Sequence, residues 1–167
     1  VAMTLEKGRC LAFLKTGAGK TQAAYLTAIN YLSQNQKGNV HFFVPVSVRT
    51  KFTKASEALN NHFDGNRVFS KTITSGEIGS GGWQENINKG DLLIVDEIQY
   101  GWLSCSTNTR VLITVLDRIC EGGGGNVLFM TATPFGNNIF ELYFCLWLLK
   151  YTKVNVLKED IKYKTDK

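Results

Sequence analysis

One segment, LAFLKTGAGKTQAA at 11–24, restricts the possible folds of this chain more than any other. An apolar run of strand length enters a turn containing Gly17 and Gly19, and Gly19-Lys20-Thr21 then opens a stretch of helical periodicity. A strand, a tight turn and a helix in that order begin a β-α-β unit, the building block of a parallel sheet. The residue types in the turn suit an oxyanion. Gly17 and Gly19 let successive backbone N–H groups wrap around it without Cβ clashes. A helix N-terminus adds a favourable partial positive charge. Lys20 has the reach to pair with β and γ phosphates, and the Thr21 hydroxyl is a ligand for Mg²⁺. The general form of such a loop begins with glycine where this chain has Leu14.

Strand-length apolar runs occur at 11–14, 40–46 (VHFFVPV), 67–70 (RVFS), 92–95 (LLIV) and 127–131 (VLFMT). They are apolar throughout rather than alternating, as parallel strands covered by helices on both faces must be. Helices are expected at 19–33, 50–62, 107–121 and 138–150. In the first, Ala23, Ala24, Leu26, Thr27, Ile29, Asn30 and Tyr31 read as the apolar stripe; in the third, Leu112, Val115, Leu116 and Ile119 share one face. Glycine-rich breakers at 76–83 and 121–126 separate elements.

With 167 residues, 44 % hydrophobic and 20 % charged, the chain supports one domain with its own core, and disorder is not expected. No apolar run approaches the roughly 20 residues of a membrane span. VAMTLEKGRC carries no secretory signal pattern, so a cytoplasmic or nuclear location is expected, not a secreted one. Cys10, Cys105, Cys120 and Cys145 show no C-x-x-C spacing, and His41 and His62 lie far from them in sequence. Reduced thiols, rather than a zinc or redox site, are expected. Both histidines read as structural or surface residues, and Trp83, Trp102 and Trp147 as packing residues.

Two further segments join the phosphate loop. Asp96 and Glu97 follow directly on the run 92–95, which places them at the carboxyl edge of a parallel sheet, where ligands bind. Alone, such a pair also reads as the acidic first turn of a helix. Beside a phosphate loop, the aspartate suits Mg²⁺ and the glutamate suits a water to be deprotonated. TATP (131–134) ends another strand, with hydroxyls from Thr131 and Thr133. The net charge is +5, and Arg49, Lys51 and Lys54 cluster beside Ser47, Thr50 and Thr53. Such a group suits nucleic-acid phosphates, read without sequence specificity, and equally suits a solvated helix start.

GAGKT (17–21), DEIQ (96–99) and TATP (131–134), in this order, resemble motifs I, II and III of superfamily 2 helicases and translocases. VPVSVRTKF (44–52) resembles motif Ia, and TSGE (74–77) is a weaker match to motif Ib. MTATPFGNNIFELYFCLWLL (130–149) is similar to Swi/Snf-type translocases and to nucleoside triphosphatases of large DNA viruses, and the short loops favour the viral proteins. The resemblance covers roughly 8–150. It implies an α/β fold, a RecA-like three-layer sandwich with a mostly parallel central sheet, and ATP, Mg²⁺ and nucleic acid as ligands, DNA before RNA. It places ATP on Thr16, Gly17, Ala18, Gly19, Lys20 and Thr21, the metal on Thr21 and Asp96, and hydrolysis on Lys20, Asp96 and Glu97. Gln99, Thr131 and Thr133 become coupling residues, and Arg49, Lys51, Thr74 and Ser75 nucleic-acid contacts. Gln99 also separates the chain from the DEAD and DEAH patterns.

The same resemblance implies a second RecA-like domain that supplies arginine fingers. Arg9, Arg49, Arg67, Arg110 and Arg118 do not occupy positions that suggest this role. Residues 1–150 are therefore read as domain 1 of a longer protein, and 151–167, rich in lysine, as a linker toward the second domain. Two other readings stay open: a viral packaging ATPase, and a nucleotide-dependent DNA clamp or transcription-factor subunit without unwinding activity.

Overall fold

Strands that are apolar on both faces need cover on both sides, and among the described residues helices pack on both faces of the sheet. The structure is a computed structural model that describes residues 2–5, 8–72, 86–99, 106–121, 125–133 and 139–150. Its strands are β1 (Ala2–Leu5), β2 (Arg9–Phe13), β3 (Val40–Val44), β4 (Val68–Thr72), β5 (Leu92–Asp96) and β6 (Asn126–Thr131). The helices are α1 (Lys20–Gln34), α2 (Arg49–His62), α3 (Ser106–Ile119) and α4 (Ile139–Lys150). The strands form one sheet in the order β1-β2-β6-β5-β3-β4. All neighbours are parallel except the β1–β2 pair at one edge. The expected three-layer α/β sandwich is thus present. Among the described residues no helix is long and apolar enough to cross a membrane.

Two core clusters line the two faces of the sheet. On one, Ala24, Ala28, Tyr31 and Leu32 of α1 and Phe52 and Leu59 of α2 pack on Val40, Phe42, Val44 and Ile94. On the other, Leu112, Val115, Leu116 and Ile119 of α3 and Cys145, Leu148 and Leu149 of α4 pack on Leu93, Val95, Val127 and Phe129. Every residue of β3 and β5 is buried. Burying such side chains contributes about 1.5–3 kcal/mol each, which drives the layered assembly.

The differences from the sequence expectations have local causes. The apolar stripe of α1 is rotated: Ala24, Ala28, Tyr31 and Leu32 are buried, whereas Leu26 and Ile29 are 65 % and 38 % exposed. Small residues at the contact let the helix approach the sheet, and so the buried face follows the alanines rather than the largest side chains. β3 ends at Val44 because Pro45 has no N–H for the ladder, and Val46–Val48 form a single 3-10 turn. β2 begins at Arg9, whose buried guanidinium donates from Nη1 to the Leu149 carbonyl (2.8 Å) at the end of α4. A cation on the last carbonyls of a helix satisfies orphan acceptors and complements its dipole. β1 has no counterpart among the expected strands.

The amino edge of the sheet is fixed by one carboxylate. Asp91 accepts from the backbone N–H groups of Asn39 and Asn88, both at 2.9 Å, and pairs with His41 Nε2 at 2.8 Å. His41 is buried and stacks on Phe69, the structural role its sequence position suggests. Cys10, Cys120 and Cys145 are not joined in disulfides. Cys105, Trp83, Trp102, the 74–77 segment with Thr74 and Ser75, Pro134 and the 151–167 tail lie outside the described residues.

Candidate active site

The sheet order sets the carboxyl ends of β2, β6 and β5 side by side, so the loops that follow them meet. Phe13 is level with Thr131, and Asp96 with Met130. Leu14 extends the β2–β6 ladder by one bond, its N–H donating to the Thr131 carbonyl at 3.0 Å. The departure from glycine at this position therefore leaves the loop tied to the last residue of β6, Thr131.

Beyond Leu14 the chain turns, with Ala18 N–H donating to the Lys15 carbonyl at 3.0 Å. Gly17 and Gly19 have φ of 81° and 83°. A Cβ at Gly17 would meet nothing within 4 Å, and one at Gly19 would meet only Gln22 Oε1 at 3.5 Å. The glycine requirement here is therefore torsional, not a lack of room. Gly19 caps α1 without a side-chain hydrogen bond, and the first turn holds no acid. The leading N–H groups of a 15-residue helix thus face the loop with no side-chain acceptor, as an anion site requires. Thr16, Gly17 and Ala18 are exposed along this loop, and Gly19, Lys20 and Thr21 are half-buried at the start of the helix.

Lys20 crosses to the acids that end β5. Its ammonium lies 3.2 Å from Asp96 Oδ1 and also bonds Glu97 Oε1. Both carboxylates keep little exposure, 4 % for the Asp96 side chain and 20 % for that of Glu97. Burial pushes the Asp96 carboxyl above its ordinary range, with the Glu97 charge adding to that and Lys20 opposing it. Burial acts on Glu97 in the same direction, but donation from Lys20 and Gln99 outweighs it and holds Glu97 below its usual value. The two acids differ because Glu97 receives several donors and Asp96 is more deeply placed.

Glu97 has φ of 50°, a left-handed conformation that costs a non-glycine residue about 1–3 kcal/mol. Its neighbours hold it there. Its own N–H donates to Asp96 Oδ1 (3.0 Å), and the next residue, Ile98, is fully buried and donates to the Met130 carbonyl (3.1 Å). Gln99 Nε2 donates to Glu97 Oε2 (2.7 Å) and to Thr133 Oγ1 (3.3 Å). The Thr131 hydroxyl donates to the Thr133 carbonyl (2.9 Å), and Ala132 N–H approaches Glu97 Oε2 at 3.4 Å. Lys20, Asp96, Glu97, Gln99, Thr131 and Thr133 therefore form one connected network. The direct Lys20–Glu97 contact and the strained Glu97 backbone are not readable from spacing, because both depend on which strands are neighbours.

Thr21 and Asp96 offer hydroxyl and carboxylate oxygens, the hard donors that Mg²⁺ prefers. The residues present fit an Mg²⁺–nucleoside triphosphate.

Arg49, Lys51 and Lys54 are exposed on the first turns of α2 at the same carboxyl edge. α2 also starts without a side-chain cap or an acid in its first turn.

Structural comparison finds similar folds among solved structures. The Sulfolobus solfataricus SWI2/SNF2 ATPase core in complex with dsDNA matches at TM-score 0.61 and 14 % identity, over 86 % of this chain and 31 % of that one. The Pyrococcus furiosus Hef helicase domain matches at TM-score 0.57 and 16 % identity, over 89 % of this chain and 34 % of that one. This chain thus spans about a third of the length of each. No family model matches the sequence, and comparison with curated proteins finds no match. The structural likeness establishes the fold alone, a RecA-like α/β sandwich.

Proposed function

We propose that this domain binds Mg·ATP at the phosphate loop and, as the first of two RecA-like domains, couples ATP hydrolysis to movement along nucleic acid, DNA in preference to RNA. The carrying observation is the meeting of Lys20, from an uncapped helix N-terminus, with Asp96 and Glu97 at a neighbouring strand end. Backbone N–H groups of 17–21 and the Lys20 ammonium would hold the phosphates. Thr21 and Asp96 would hold Mg²⁺, which when bound neutralises developing charge on the phosphates. Glu97 accepts the proton of the attacking water.

The resting geometry suits a site that waits for its substrate. Lys20 is engaged by both acids, and its donation keeps Glu97 ionised and weakly basic. When phosphate takes the ammonium, Glu97 loses its strongest donor and becomes a better base, poised nearer to working pH. Gln99 still holds the other carboxylate oxygen and ties it to Thr133, so a change at Glu97 reaches the end of β6. The second domain, following a linker at 151–167, would complete the site with arginines.

Arg49 and Lys51, exposed on α2, would contact nucleic-acid phosphates, with Thr74 and Ser75 as further contacts. Replacing both basic residues in Arg49→Ala/Lys51→Ala is expected to weaken DNA binding for all sequences alike. It should also flatten the dependence of log K on log salt by about 2, since each lost phosphate contact reduces the slope by about 0.9. A fluorescence titration at several salt concentrations reads this directly. An unchanged slope would remove the start of α2 from the interface. Hydrolysis stimulated by DNA is the test of the proposal as a whole.

A further inference from the structure

We infer that Tyr25 is a positioning residue that couples the phosphate-holding end of α1 to the basic first turn of α2. The inference rests on the function proposed above and adds a residue that none of the helicase motifs contains. Tyr25 lies one helical turn beyond Thr21. Its hydroxyl donates to the Lys51 carbonyl at 2.9 Å, in the first turn of α2 that presents Arg49 and Lys51. Its ring meets Phe52 edge-on at 5.5 Å between centroids and Phe42 at 6.1 Å, and those two rings lie 5.1 Å apart. Phe42 of β3 and Phe52 of α2 are fully buried. One aromatic joint therefore joins α1, β3 and α2.

A close-packed joint transmits displacement because it has no slack to absorb it. A shift of Lys20 and Thr21 along the axis of α1 carries Tyr25 with it, and the hydroxyl bond carries the first turn of α2. Phenylalanine would supply the packing alone, as residues 42 and 52 do. The hydroxyl adds a directional tie. Burial holds the Tyr25 phenol above its ordinary value. Tyr31 provides the contrast: it sits on the same helix, but its hydroxyl donates to the Gly90 carbonyl (2.8 Å), near Asp91 at the amino edge of the sheet.

The test compares Tyr25→Phe with Tyr31→Phe in the full-length protein. The affinity of a non-hydrolysable ATP analogue with Mg²⁺ is measured with and without saturating duplex DNA, and the ratio is the coupling factor. Tyr25→Phe is expected to lower that factor about fivefold, the equivalent of one hydrogen bond, with each ligand alone bound as in wild type. Tyr31→Phe is expected to lower the melting temperature as much and leave the coupling factor intact. Equal coupling in wild type and Tyr25→Phe overturns the inference, and so does an equal loss in both variants. A wild-type protein that binds neither ligand, or shows no coupling, overturns the proposed function and the inference with it. Amide exchange on the wild type gives a reading that needs no variant: the analogue alone should change exchange at 49–55, and an unchanged rate there would also overturn the inference.

Discussion

Lys20→Ala is expected to abolish nucleotide binding and leave the fold in place. The ammonium belongs to the first residue of α1, which starts without a side-chain cap, and removing it would withdraw charge-assisted bonds to two phosphates. Each such bond is worth about 1.5–3 kcal/mol, so the Kd for Mg·ATP should rise by roughly 100-fold or more. Calorimetry reads this, and equal affinity for the two forms would refute the assignment. The same change strands Asp96 and Glu97 beside one another without their cation, at a cost of about 1–3 kcal/mol. The sign of its pH dependence follows from Asp96. Its carboxyl is already raised by burial, and loss of Lys20 raises it further. A raised carboxyl contributes stability that is present below its unfolded value and lost as pH rises through the folded one. The variant should therefore be least stable relative to wild type near neutrality, and the gap should narrow as pH falls into the carboxylate range.

Glu97→Gln separates binding from chemistry. The amide keeps the size of the side chain and one acceptor for the Lys20 or Gln99 donor, so Mg·ATP affinity should stay close to that of wild type. It cannot take a proton from water. Turnover by the protein that contains this domain should fall by about 10²–10⁴, the usual contribution of a general base. A variant that loses affinity and keeps turnover would assign Glu97 to ligand binding instead. Because Gln99 Nε2 holds Glu97 Oε2 at 2.7 Å, the substitution also probes the link from Glu97 to Thr133.

Much of this site is local in sequence. The 17–21 turn, the acids after 92–95 and the threonines at 131 and 133 each sit at the end of a strand-length apolar run, and topology alone then gathers them at one edge. β3, β5 and β6 were legible because burial on both faces leaves an unbroken apolar run. The interior of α1 was harder to place. Its buried contact is made by Ala24 and Ala28, which scan as weakly hydrophobic, while Leu26 and Ile29 face outward. Three features depend on which chain segments become neighbours, and no periodicity encodes that: the Lys20–Glu97 pair, the Arg9 bond to the end of α4, and the Tyr25 bond to Lys51. The antiparallel β1 was missed because a four-residue edge strand carries almost no pattern of its own.

ATP hydrolysis with and without duplex DNA, in the protein that carries this domain, bears most directly on the central claim. The expected result is Mg²⁺-dependent turnover that rises when DNA is added and disappears in Lys20→Ala. Turnover indifferent to DNA, or surviving the loss of Lys20, would contradict it.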